Sequence, residues 1–364
     1  MLEIALRVEA RGLSPGALGR WEDRQAWEAI RRFTADGNPR PIPNGAAAWR
    51  LQPWNETIEY RLDVNGFRAP APRIVADGCR AVALGDSQTF GYGVRGRHAW
   101  PTAVTSLFAA GGAPLSVTNA GICGSTVAAQ AAWLPAALDV VRPHVVVVAV
   151  TPWSLRLDPD PPARHRGPME RRLGTYWRRL EHRSAVVERA SRLAARHLTR
   201  WIGWPAPSEV LWELQPLTEP MASFRRRWRG VDSVLAGMVR QVRLAGAEPL
   251  LLYLPLDLQL SRGRNRLYRE GRLPYPTHGF ADVDYTSDAR YERGLTKTMR
   301  RLRVRHVHAG AMLRHVAAQA FLPDAYHLSP IGHAHVAALV APWLIAACEE
   351  RPTQVDASLP PAPY

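Results

Sequence analysis

The chain has 364 residues, 46% of them hydrophobic and 22% charged, a balance that excludes wholesale disorder and leaves room for a large buried core. Its formal net charge of +15 invites an anionic partner, yet Lys297 is the one lysine among 47 basic residues, an arginine skew that GC-rich coding produces. No nucleic-acid motif accompanies the charge, so no nucleic-acid partner is expected. Three cysteines (Cys79, Cys123 and Cys348), widely spaced and without a C-x-x-C pair, imply neither a disulfide framework nor a zinc cluster. No stretch approaches the ~20 apolar residues of a membrane span. "MLEIALRVEARG" is too short and too charged for a signal peptide, which makes the chain cytoplasmic as written. A cell-envelope location would follow if translation starts upstream and "LEIALRV" is the stub of an anchor.

Residues 1–70 read as an irregular extension with scattered Pro and Gly, ending in "YRLDVNGFRAP". A regular rhythm follows over 71–350. Apolar runs of strand length occur at 80–84, 115–120, 144–151, 249–256 and 304–309. Helix-like stretches separate them at about 98–110, 125–141, 223–245 and 286–302. Short continuous apolar strands alternating with helices predict an α/β fold, a three-layer α/β/α sandwich around a five-stranded, mostly parallel sheet. "HVVVVAVT" is its clearest central strand. A last helix begins at Ser329, a capping residue followed by Pro330, and runs to about Cys348. The tail 351–364 is Pro-rich and reads as disordered.

Between the third and fourth strands lies a basic insertion, about 157–222. Within it Arg189, Arg192, Arg196 and Arg200 form one helical stripe. The plain reading is a solvated face, and the sharper one a peripheral contact with an anionic membrane.

The stretch that carries chemistry is "VALGDSQTFGYG". Ser87 follows the first strand directly, at the carboxyl end where open parallel sheets bind ligands, with glycines on both sides of the turn. A serine hydroxyl needs a base before it attacks anything, and most of the 12 histidines have plain explanations. His98, His165, His182 and His315 read as surface residues. His306 and His308 alternate on a strand. The exception is "FLPDAYHLSPIGH", where Asp324 stands three residues before His327 on a loop between the last strand and the last helix. There the carboxylate can accept from one ring nitrogen while the other faces the site. His333, inside the helix, reads as a packing residue.

These residues resemble the SGNH (GDSL-type) hydrolases, a family of bacterial and other esterases, lipases and carbohydrate deacylases with a flavodoxin-like sandwich. "GDSQTFG" is similar to the family's first block, "NAGICGST" to the second and "DAYH" to the fifth, in family order; "NGFR", Asn65 to Arg68, is similar to the lead-in of many bacterial members. The resemblance implies a triad of Ser87 as nucleophile, His327 as base and Asp324 as its partner. It also implies an oxyanion hole from the Ser87 and Gly124 N–H groups. Asp86 and Asn119 would brace the loops rather than react.

The third block departs. Where the family usually has G-x-N-D, this chain reads "VTPWSLR", which puts Trp153 in place of the oxyanion Asn. Trp153 offers one indole N–H, and Thr151 or Ser154 would be hydroxyl substitutes. The implied activity is hydrolysis of a small-molecule, lipid or glycan ester through an acyl-enzyme, with no metal or cofactor. An acyltransferase with the same triad, and an impaired carbohydrate- or lipid-binding relative, are the alternatives.

Overall fold

The computed structural model describes residues 48–51, 58–63, 65–70, 78–110, 114–157, 221–262, 286, 289–322 and 327–350. Five strands form one parallel sheet: β3 (Cys79–Gly85), β4 (Leu115–Gly121), β5 (Val145–Val150), β6 (Glu248–Tyr253) and β7 (Arg305–His308). Their spatial order is β4-β3-β5-β6-β7. This is the flavodoxin-like doubly wound order, in which the direction of winding reverses between β3 and β5. The predicted strands hold to within a few residues, because helices cover both faces of the sheet and each strand must be apolar throughout. In β5, Val145, Val147 and Ala149 join the core on one face, while Val146, Val148 and Val150 join the core on the other.

One helical layer contains α3 (Val127–Val141), α4 (Met221–Leu244) and α6 (Arg290–Leu302). The opposite layer contains α2 (Trp100–Ala110), the short α7 (Gly310–His315) and α8 (Ala317–Ala320), and the terminal α9 (Pro330–Glu349). Local chemistry sets several ends. Thr126 caps α3 by accepting from Ala129 N–H, and Ser329 caps α9 by accepting from Gly332 N–H, each cap contributing about 1 kcal/mol. In α6, Tyr291, Leu295, Thr298 and Met299 are buried while Arg293, Lys297, Arg300 and Arg301 are exposed, so its arginines largely face solvent.

Three expectations change. Within the stretch read as irregular, β1 (Ala48–Leu51) pairs antiparallel with β2 (Ile58–Arg61). The residues after it dock on the sandwich, with Tyr60, Phe67 and Arg68 buried and Phe67 against Trp133. Its apolar residues are too few and too scattered to show a strand period. Second, α9 has the length and composition of a membrane span. Gly332, His333, Val336, Ala337, Val340, Leu344 and Ala347 are nevertheless buried against the sheet and α2, as in a core helix. Third, Cys79 and Cys348 form a disulfide across 269 positions of sequence, leaving Cys123 as a buried free thiol. No spacing rule detects that pair, because the start of β3 and the end of α9 meet only after the sandwich closes. The insertion with its arginine stripe and the tail 351–364 lie outside the described residues, as do His165 and His182.

His333 is fully buried, and its Nδ1 accepts the Trp100 N–H at 3.3 Å. Burial, with His327 and His98 nearby, lowers its pKa from 6.5 to about 3. The neutral ring therefore contributes stability that is complete above about pH 6.5 and lost as pH falls toward 3. Lowering pH from 7 to 5 should cost about 2 kcal/mol through this residue. His333→Gln should flatten the dependence of Tm on pH over that interval. Replacing Cys79 and Cys348 together by Ser should lower unfolding stability by about 2–4 kcal/mol. Wild type in excess reductant should match the double variant in thermal melts.

Candidate functional site

Residues from the ends of three strands, β3, β4 and β5, and from the loop that precedes α9 converge at the carboxyl edge of the sheet, around the reversal between β3 and β5. After Gly85 the chain turns into the four-residue helix α1 (Ser87–Phe90). Asp86 caps it, its carboxylate accepting the Gln88 N–H at 2.9 Å. The other carboxylate oxygen accepts the Thr151 hydroxyl at 2.6 Å, which ties the end of β3 to the loop after β5. Burial pushes the Asp86 carboxyl up from its ordinary value, while Thr151, the Gln88 N–H, His327 and Ser154 act in the opposite direction.

Ser87 Oγ lies 2.9 Å from His327 Nε2, both side chains buried. The loop that carries His327 is held from both ends. Leu322 N–H donates to the His327 carbonyl at 2.7 Å, and Ser329 N–H to the Ala320 carbonyl at 2.8 Å. Gln88, next to Ser87, accepts the Leu328 N–H at 2.9 Å through its side-chain oxygen and is itself buried. The Tyr92 ring lies 4.5 Å from the His327 ring and flanks it. Neither Gln88 nor Tyr92 stands out in the sequence, since a single buried amide or ring near a turn has no period or spacing of its own. Asp324 lies outside the described residues. Both carboxylate oxygens of Asp86 are occupied by Gln88 and Thr151.

The loop after β4 supplies the third wall. Gly121 is needed there for close approach, since a Cβ would stand 2.3 Å from the Phe90 nitrogen. Asn119 spends its side chain on this joint: Nδ2 donates to the Thr89 carbonyl at 2.9 Å and Oδ1 accepts the Gly121 N–H at 3.0 Å. Gly124 has φ +76°, left-handed backbone that favours glycine. No acceptor takes the Ser87 or Gly124 N–H among the described residues. Cys123, next to Gly124 in the chain, is buried, and burial pushes its thiol far up, which keeps it from being a thiolate.

At the third block, Thr151 and Ser154 close on one another. Thr151 N–H donates to the Ser154 hydroxyl at 2.8 Å, and Ser154 N–H to the Thr151 hydroxyl at 3.1 Å. The Thr151 hydroxyl hydrogen goes to Asp86, and the Ser154 hydroxyl donates to the Thr151 carbonyl at 3.2 Å. Each hydroxyl has one hydrogen, so neither side chain has a donor left for a substrate oxygen. Trp153 is half-buried, with the Arg156 guanidinium 4.3 Å above its ring and Arg156 Nε donating to its carbonyl. A cleft of about 610 Å³ lies elsewhere, between α6 and the edge strand β7. Arg293, Lys297, Arg300, His306 and His308 line it, and neither Ser87 nor His327 does. His306 and His308 are half-buried there, with His308 Nε2 3.2 Å from the Thr296 hydroxyl.

No family model and no curated protein matches the chain. Among solved structures, the chain is similar to the psychrotrophic esterase EstA from Pseudoalteromonas, at 11% identity over 73% of this chain and 98% of that one, TM-score 0.39. It is similar to TesA at 16% identity, over 74% of this chain and 99% of that one, TM-score 0.39. Axe2, an acetylxylan esterase from Geobacillus stearothermophilus, is 12% identical over 75% of this chain and 96% of that one, TM-score 0.41. The doubly wound α/β sandwich is given by the strand order and the two helical layers, and the solved structures to which the chain is similar include esterases.

Proposed function

We propose that the protein is a carboxylic ester hydrolase working through Ser87, His327 and Asp324. The observation that carries this reading is the 2.9 Å contact between Ser87 Oγ and His327 Nε2, at the carboxyl ends of parallel strands beside the reversal in winding. His327 Nε2 removes the hydroxyl proton as Oγ bonds to the ester carbonyl carbon. The same proton then passes to the leaving alcohol as the carbon–oxygen bond breaks. Water attacks the acyl-Ser87 by the mirrored route, and the acid is released. Asp324 orients the ring, and the N–H groups of Ser87 and Gly124 receive the oxyanion. With the hydroxyls of Thr151 and Ser154 already committed, Trp153 is the remaining third-block residue to border the acyl group. The disulfide Cys79–Cys348 favours an oxidising compartment, the envelope reading, over the cytoplasm.

Ser87→Ala should abolish turnover of a short p-nitrophenyl ester and labelling by a fluorophosphonate, with Tm nearly unchanged. Undiminished hydrolysis in that variant would remove the nucleophile assignment. Asp324→Asn should slow turnover while Ser87 remains open to the phosphonate; full activity there would assign the orienting role to a different group. Trp153→Asn places an amide donor in the oxyanion position, and one such donor typically changes turnover by about 10²–10³. Kinetics on several esters should therefore move clearly, upward if a donor is missing, downward if the indole already donates or shapes the pocket. Identical kinetics at identical stability would mean that Trp153 does not border the site. Product analysis with and without an added alcohol acceptor separates hydrolysis from acyl transfer.

A further inference from the structure

Arg68 is a buried cation without a counter-ion among the described residues. Its side chain is 2% exposed, and its guanidinium lies 4.7 Å from the Tyr60 ring centroid and 5.0 Å from that of Phe90. Nη1 donates to the carbonyls of Arg61 and Ala69 at 3.4 and 3.2 Å. Nε–H and Nη2–H, which share one edge of the group and form its bidentate fork, meet no acceptor among the described residues. No carboxylate pairs with it among the described residues. Burial lowers its pKa from the ordinary guanidinium value to about 10, so it is still cationic at neutral pH. Facing aromatic rings return part of the lost hydration, but an uncompensated buried charge is a net cost to folding.

The position of that charge suggests why the fold keeps it. Phe90 is the last residue of α1, the helix that Ser87 begins. The Arg68 N–H donates to the Asn119 carbonyl at 2.9 Å, and the Asn119 side chain holds the Thr89 carbonyl. Tyr60, under the guanidinium, also stacks on Tyr92, which flanks His327. Cys123, next to Gly124, is an electrostatic neighbour of Arg68. The cation therefore adjoins the nucleophile's helix, the loop of Gly124 and, through two rings, the base.

We propose that Arg68 is an electrostatic residue of the site, kept unpaired so that its positive charge stabilises the negative charge gained by the carbonyl oxygen when Ser87 attacks. A carboxylate partner would cancel that field, and low dielectric around the buried group extends it. The role compensates for a third block in which the hydroxyls of Thr151 and Ser154 are committed elsewhere. It adds no covalent step and rests on the ester-hydrolase reading above.

The test compares Arg68→Met, which fills the aromatic sandwich without charge, and Arg68→Lys, which retains charge, by Tm and by kcat and KM on a p-nitrophenyl ester. Arg68→Met should melt at or above the wild-type Tm, since it removes a buried unpaired charge. Its kcat should fall about tenfold with KM unchanged, the order of effect expected when one nearby positive charge is removed from a poorly screened site. Arg68→Lys should recover most of the lost kcat. A packing role predicts the opposite: Tm and activity fall together in Arg68→Met, and that result overturns the proposal. So does a kcat equal to wild type in Arg68→Met, or an Arg68→Lys no faster than Arg68→Met. These outcomes leave hydrolysis by wild type intact, whereas a wild type without Ser87-dependent hydrolysis overturns this inference and the esterase reading together.

Discussion

One buried carboxylate joins the two strand ends between which the candidate site lies. Asp86 closes the end of β3 through the Gln88 N–H and reaches across to β5 through the Thr151 hydroxyl. Both bonds are made to a group that burial drives toward neutrality, so each matters more than it would at the surface. Without them the turn that presents Ser87 would be free to drift relative to the neighbouring loop. The distance from Ser87 to His327, on which the proposed chemistry depends, would drift with it.

His327 is positioned by a separate set of contacts. His327 belongs to a loop some 240 residues away in sequence, yet Gln88 binds the next backbone N–H on that loop. Ser87 and His327 are thus coupled twice, once directly and once through adjacent residues. The sheet makes this possible because its strands are buried on both faces and offer no room for polar chemistry within the layer. Polar groups are confined to the loops at the carboxyl edge, where the reversal in winding opens a crevice.

The third block shows how a loop can keep its position while changing its chemistry. A reciprocal pair of backbone-to-hydroxyl bonds between Thr151 and Ser154 makes a tight turn that satisfies its own donors. Rigidity is gained, and the hydroxyl donors face inward rather than toward a ligand. Trp153 is carried at the middle of that turn, braced by Arg156 from above. The N-terminal segment contributes in a different way, bringing Tyr60 and Arg68 beneath the elbow.

The sequence alone determined the strands, the layer order of the sandwich and the cap of the last helix. Burial on both faces forces continuous apolar runs such as "VVVVAV", and Ser329 before Pro330 is a local signal. The sequence also singled out Ser87, after a strand, and His327, before the last helix, and the fold brings these two side chains within hydrogen-bond distance. Tertiary structure alone decided what long-range contact decides. It paired Cys79 with Cys348, assigned the hydroxyls of Thr151 and Ser154 to one another and to Asp86, and set Gln88 against Leu328. It also left the Arg68 fork without an acceptor among the described residues. None of these has a period or a spacing in the chain, since each is created only when distant segments close around the same edge of the sheet.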